Sequence, residues 1–79
     1  MSTSRVKLKA QASDVRVTPH ALRVILADGR EILAPLEWFP RLRKATRSQR
    51  NKWRLIGGGI GIHWEEIDED ISVEGLLAK

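Results

Sequence analysis

The dipeptide Asp28-Gly29 is the sequence feature that most restricts how this chain folds. It lies between two runs that are rich in aliphatic residues, 21–27 and 30–36. Asp-Gly between such runs favours a type I′ turn, because both central residues of that turn have positive φ. The sequence therefore predicts a two-residue β-hairpin with Gly29 in a left-handed conformation.

Alternation of polar and apolar residues predicts which side of each strand is buried. Val15 and Val17 share one face of a strand over 14–18. The same spacing in the two hairpin strands groups Leu22, Val24 and Leu26, and then Ile32, Ala34 and Leu36. Pro35 lacks a backbone N–H, so the third strand is expected to lie at an edge or to end there. Together these segments predict a three-stranded antiparallel meander.

Two short helices are predicted after the meander. Pro40 suits the first turn of a helix, and apolar residues follow it at helical spacing over 38–45. Thr46 and Gln49 match a capping box, which predicts a second helix from about Arg47 to Trp53.

The last third of the chain is predicted to add a further strand and a C-terminal helix. Apolar residues alternate through the glycine-rich stretch 57–61 and beyond it, which is typical of a glycine-broken strand: Ile60, Ile62 and Trp64. The glycines are interpreted as a bulge or as close backbone packing against Trp53 or Trp64, because neither a P-loop nor a dinucleotide fingerprint fits. Ser72 can cap a helix over 73–77 that buries Leu76 and Leu77 with Ile71.

Length and composition place these elements in a single small domain. The chain has 79 residues, of which 42% are hydrophobic and 30% charged, as in a folded globule. Residues 1–11 are polar and basic and are predicted to form a flexible N-terminal arm, followed by one α+β domain over 12–79. The absence of cysteine excludes disulfides and thiolate metal sites. No apolar run reaches the roughly 18 residues of a membrane span, and no secretory signal begins the sequence, so we expect a cytoplasmic protein without membrane contact.

Charge is sorted along the sequence. From Trp38 to Trp64 there are seven basic residues and no acidic one: Arg41, Arg43, Lys44, Arg47, Arg50, Lys52 and Arg54. From 65 to 75 there are six acidic residues and no basic one: Glu65, Glu66, Asp68, Glu69, Asp70 and Glu74. Two interpretations stay open. The basic residues form a face for nucleic acid, or they are solvated and meet the acidic segment within the fold or across a homodimer.

No pattern of side chains predicts catalysis. Without cysteine there is no thiol nucleophile, and the serines have no evident His–acid partners in the sequence. His63 lies near several acidic residues, but an EF-hand register that starts at Asp68 has Val73 at its sixth position, where glycine is required. His63 is therefore interpreted as a solvent-facing structural residue, and we expect no enzymatic activity, no cofactor and no metal.

Motifs along most of the chain are specific enough to indicate a family. They are Asp28-Gly29, Pro35-Leu36, Phe39-Pro40-Arg41-Leu42, Ala45-Thr46, Arg50, Trp53, the run 59–64, and Trp-x-x-Ile-Asp-Glu-Asp-Ile-Ser-Val-x-Gly-Leu-Leu over 64–77. From about Val15 to Leu77 the sequence thereby resembles the bacterial domain-of-unknown-function family 2442. The resemblance implies a compact α+β unit without established catalytic residues. It also implies an antitoxin-like role, since genes of this family often lie beside small candidate toxin genes.

The leading hypothesis is a non-enzymatic protein-interaction module, the antitoxin-like partner of a small bacterial protein. Its candidate partner-binding residues are acidic and suit a basic surface: Glu65, Glu66, Asp68, Glu69 and Asp70. The alternative is a small nucleic-acid-binding or regulatory module that uses the basic segment 41–54. A homodimer is compatible with either hypothesis.

Overall fold

The computed structural model describes residues 10–78 and confirms the α+β class, with two three-stranded antiparallel sheets joined by short helices. In chain order the elements are β1 (Ala12–Val17), β2 (Ala21–Leu26), β3 (Glu31–Pro35), a 3₁₀ turn (Leu36–Trp38), α1 (Pro40–Lys44), α2 (Arg47–Arg50), β4 (Trp53–Ile56), β5 (Gly61–Trp64), β6 (Glu69–Ser72) and α3 (Val73–Leu77). None of the helices in residues 10–78 has the length and apolar character that crossing a membrane requires.

The predicted flexible arm lies largely outside the described residues, because 1–9 are not among them. The two described residues of that segment contact the domain. Ala10 is buried, and the carbonyl oxygen of Gln11 accepts a hydrogen bond of 2.8 Å from the N–H of Ala27. Contacts with the first sheet thus begin before residue 12.

The first sheet has the order β1-β2-β3 and confirms the predicted meander. Val24 on the central strand pairs with Val15 on one side and with Ile32 on the other. The faces follow the predicted alternation, since the buried side chains of β2 are Leu22, Val24 and Leu26. Pro35 is the last residue of an edge strand, where its missing N–H costs no ladder hydrogen bond.

The turn between β2 and β3 has three residues, so the predicted two-residue tip is wrong. The N–H of Gly29 donates to the oxygen of Leu26 at 3.0 Å, and the N–H of Leu26 donates to the oxygen of Arg30 at 2.7 Å. Gly29 has the predicted positive φ of 96°, but Asp28 does not. This is the pattern of a G1 bulge, which needs only one left-handed residue. The carboxylate of Asp28 stabilises it by accepting a hydrogen bond of 3.0 Å from the N–H of Arg30.

The two helices form where the sequence predicts them, but both are shorter. α1 begins at Pro40, and α2 begins after a capping box in which Thr46 and Gln49 exchange hydrogen bonds of 3.1 and 2.9 Å. The predicted extension of the second helix to Trp53 is wrong. That residue starts β4 and pairs with Trp64, because the ladder of the second sheet begins there.

The second sheet has the order β4-β5-β6 and corrects the predicted glycine-broken strand. Gly57, Gly58 and Gly59 all have positive φ, so the chain reverses there and forms a hairpin of two strands. The glycines do pack closely against backbone, but the neighbour is β1. The N–H of Ala12 donates to the oxygen of Gly59 at 2.7 Å, and a Cβ on that glycine would lie 2.5 Å from the oxygen of Ala12.

One hydrophobic core joins both sheets with α1 and α3. Trp64 lies fully buried within it, and its indole N–H donates to the oxygen of Arg50 at 3.0 Å. α3 begins after the predicted Ser72 cap and buries Val73 and Leu76. The prediction that Leu77 is buried is wrong, since it is 45% exposed. Leu76 is the side chain that packs into the core one turn after Val73, and Leu77 lies at the exposed end of the helix.

Candidate functional site

The seven basic residues of the segment 41–54 fall into two groups in the structure. The first group, here called the paired cations, meets the acidic segment within the fold, as one of the two interpretations predicts: Arg41, Lys52 and Arg54. Lys52 Nζ lies 2.6 Å from Glu66 Oε2, and Arg54 Nε lies 3.3 Å from Glu65 Oε1. Pairing of β4 with β5 produces these contacts, because it places the residues around Trp53 opposite those that follow Trp64.

Arg41, on α1, contacts the same acidic segment. Its Nη1 donates to the backbone oxygen of Asp68 at 2.7 Å and lies 4.0 Å from Glu69 Oε1. The acidic candidates Glu65, Glu66 and Glu69 are therefore all engaged by cations of the same chain.

The second group, here called the helical cations, has two members on α1 and two on α2: Arg43, Lys44, Arg47 and Arg50. Within residues 10–78, none of them has a carboxylate at ion-pair distance. Arg50 is nevertheless held in place, because its Nε donates to the oxygen of Leu42 at 2.9 Å and its Nη2 to the oxygen of Arg43 at 2.8 Å. These bonds satisfy carbonyl groups at the end of α1 and leave the positive charge of Arg50 without a counter-charge.

Arg47 and Arg50 also line a groove of about 470 Å³. Its other wall consists of the residues at the end of β1 and in the following turn: Val17, Thr18 and Pro19. The groove thus combines two guanidinium groups with apolar side chains.

His63 is held between two carboxylates on the outer face of the second sheet. Its Nδ1 lies 2.5 Å from Asp70 Oδ1, and its Nε2 lies 3.8 Å from Glu65 Oε1. As predicted, it is on the strand face opposite Ile62 and Trp64, but the predicted exposure is wrong, since its side chain is only 16% exposed. Within the described residues, no three His, Asp or Glu side chains are grouped so that they could hold a metal ion.

Three grooves meet at Ser72, the last residue of β6. β6 is an edge strand, paired with β5 alone among the described strands. The N–H of Val73 donates to the oxygen of Ile60 at 3.0 Å, and because hydrogen-bonded positions alternate in an antiparallel pair, the backbone groups of Asp70 and Ser72 face away from β5. Ile60, in the glycine turn, lines two of these grooves and is 52% exposed.

Known proteins match this chain over almost its whole length. Residues 12–79 match a family described as protein of unknown function, DUF2442. The chain belongs to this family. The DUF2442 chain is also similar to a crystal structure of a protein of unknown function from Rhodospirillum rubrum, with a TM-score of 0.77 and 29% identity, covering 90% of this chain and 88% of that one. No curated protein matches it.

Sequence reasoning about this DUF2442 protein missed one surface that the structure shows. We call it the β6 edge and define it by Asp70 and Ser72 with the neighbouring Ile56, Ile60 and Glu74. No strand was predicted there, since a single buried residue, Ile71, stands among acidic and polar ones. The pairing of Ile71 with Ile62 is the signal that reveals the strand, and it appears only in three dimensions.

Proposed function

We propose that this protein is a non-enzymatic interaction module that binds a small bacterial protein in an antitoxin-like role. The observation that supports this most is the β6 edge, where three grooves converge on a strand that pairs on one side only among the described strands. The antitoxin-like role itself follows from the family resemblance.

Backbone and apolar side chains at the β6 edge suit an extended segment of another chain. Edge strands with unpaired N–H and C=O groups bind such segments by adding a strand to the sheet. Ile60 is half exposed beside this strand, and Ile56, which lies over Gly61, is 37% exposed. These two isoleucines provide an apolar contact for alternate side chains of an added strand.

Charge at the same surface indicates that the partner segment is basic. The side chain of Asp70 is 67% exposed, and Glu74 lines a groove together with Ile60 and has no ion-pair partner within residues 10–78. The other acidic candidates are neutralised more fully, because Glu65 and Glu66 are paired with cations of the same chain. We therefore propose a partner segment in which an apolar side chain is flanked by Lys or Arg.

The test compares two substitutions that add the same charge at two exposed apolar positions. Ile60→Lys alters the β6 edge, whereas Leu33→Lys alters a residue of β3 that is 70% exposed. Each variant and the unchanged chain are co-purified with the protein encoded by the adjacent gene and, in parallel, used as bait in the source bacterium. We expect a stoichiometric complex with the unchanged chain and with Leu33→Lys, and an affinity at least about tenfold lower for Ile60→Lys.

Failure to find a stoichiometric partner by either route would overturn the proposal, and so would equal binding by all three proteins. Growth provides the second measurement. Expression of the partner alone should arrest growth, and co-expression of the unchanged chain, but not of Ile60→Lys, should restore it. A complex without any effect on growth would contradict the antitoxin-like role.

A further inference from the structure

The helical cations form a second charged surface, which the proposed function does not use. We infer that Arg43, Lys44, Arg47 and Arg50 bind the phosphodiester backbone of a nucleic acid strand, with Arg47 and Arg50 contacting it at their groove. The inference rests on uncompensated charge, on a guanidinium held in place, and on the composition of the groove.

Uncompensated charge distinguishes these four residues from the rest of the basic segment. The paired cations are neutralised by carboxylates at 2.6–4.0 Å, so their field is weak beyond the surface. The helical cations have no such partner within residues 10–78 and are separated by only a few residues on two consecutive short helices. Lysine and arginine side chains without a carboxylate partner are available to neutralise phosphate groups. Their binding releases the counter-ions that are condensed on the nucleic acid.

Arg50 provides a guanidinium that is ordered before any ligand binds. Two of its five N–H groups are used by the carbonyl oxygens of Leu42 and Arg43, and the rest remain for an anion. Arg47 stands three residues earlier on the same helix, so both side chains lie on one face and line the same groove. Guanidinium groups recognise phosphate by paired hydrogen bonds, and order in the free protein lowers the entropy cost of binding.

The remaining groove wall favours a nucleotide strand over an acidic peptide. Val17 and Pro19 present apolar surface against which a sugar or base can pack. The hydroxyl of Thr18 is already used, because it donates to the oxygen of Ala21 at 3.2 Å and accepts from the N–H of the same residue at 2.9 Å. With no free polar side chain there to read base edges or peptide amides, binding should follow the phosphates and be independent of base sequence.

Two double variants that remove equal charge make the decisive comparison. Arg43→Gln with Arg47→Gln removes two helical cations whose side chains have no hydrogen bond in the described structure, whereas Lys52→Gln with Arg54→Gln removes two paired cations. Arg50 is left intact because of its structural bonds. Fluorescence anisotropy would measure binding of labelled oligouridine RNA, oligothymidine DNA and polyglutamate, each of about a dozen units, at salt concentrations from about 50 to 200 mM.

We expect the unchanged protein to bind at least one oligonucleotide, with a salt slope near −3, as about four contacts to a single strand would produce. The helical double variant should lose at least about tenfold in affinity and roughly half of that slope, while the paired double variant stays within about threefold. The RNA and DNA arms show which strand is preferred. The inference fails if neither oligonucleotide binds, if both double variants weaken binding equally, or if polyglutamate binds more tightly with the same dependence on Arg43 and Arg47.

Discussion

The paired cations and the helical cations come from one uninterrupted basic segment, yet folding treats them differently. Lys52 and Arg54 flank the start of β4, and the hairpin with β5 places them beside Glu65 and Glu66. The helical cations precede the second sheet and have no strand partner that would bring carboxylates to them. Charges that are sorted along a sequence are thus neutralised only where the fold brings the two segments together, by strand pairing for Lys52 and Arg54 and by a contact from α1 for Arg41.

Ion pairs in this protein localise charge more than they stabilise the fold. Exposed pairs contribute about 0–1 kcal/mol each to the free energy of unfolding, and the paired cations are more than half exposed. Their larger effect is on the electrostatic potential: they cancel the positive potential around β4, so that it is concentrated at the helical cations of α1 and α2. The contrast between the two groups can be tested in stability as well as in binding.

The largest expected effect is at Arg50, the one helical cation whose side chain has hydrogen bonds to the described residues. Arg50→Ala removes two charge-assisted bonds, one to the part-buried oxygen of Leu42, which keeps only its 3.2 Å bond from the N–H of Ala45, and one to the exposed oxygen of Arg43. The free energy of unfolding should fall by about 1–3 kcal/mol, measured by urea denaturation. Arg47→Ala is the matched control and should change it by less than about 0.5 kcal/mol. If both variants lose the same free energy of unfolding, the side-chain hydrogen bonds of Arg50 do not distinguish it from the other helical cations.

A smaller effect is expected from a double-mutant cycle on a paired cation. Lys52→Met and Glu66→Gln should show a coupling energy of about 0.2–1 kcal/mol that decreases with added salt. The control cycle combines Lys44→Met with the same Glu66→Gln and should show no coupling, since Lys44 has no carboxylate at ion-pair distance in the described residues. Coupling of similar size in both cycles would mean that the two groups do not differ.

The smallest effect concerns an ion pair that is formed locally, within the β2–β3 turn. The backbone N–H of Arg30, followed by its side chain, lowers the pKa of Asp28 below its ordinary value. A lowered pKa stabilises the fold at every pH above the ordinary aspartate value of about 3.9, and this contribution disappears as the pH falls through the folded-state value. Thermal melts of the unchanged chain should therefore lose more stability between about pH 5 and pH 2 than melts of Asp28→Asn. If the melting temperatures of both proteins fall equally with pH, the pair of Asp28 and Arg30 contributes nothing to stability.

Local signals in the sequence were sufficient for the first sheet and for the positions of the helices. Alternation of Leu22, Val24 and Leu26 predicts the buried face of β2, and the Thr46–Gln49 capping box predicts the start of α2. Such signals act over a few residues, so they depend little on the rest of the fold. The same reasoning placed the helical cations and Asp70 among the candidate binding residues, but not Glu74.

The second sheet, the division of the cations and the β6 edge depend on long-range contacts that no local pattern predicts. Alternation of apolar residues through the glycines is equally consistent with one continuous strand. The chain reverses at 57–59 because Ile62 pairs with Ile71 and Gly59 packs against Ala12, and both contacts require two separate strands. Those contacts join residues far apart in the chain, and no local pattern records them. Local sequence patterns are thus sufficient to say which residues carry charge and which strands form the meander. Long-range pairing decided which of those charges are neutralised and which strand edge stays open, because both depend on what folding places beside them.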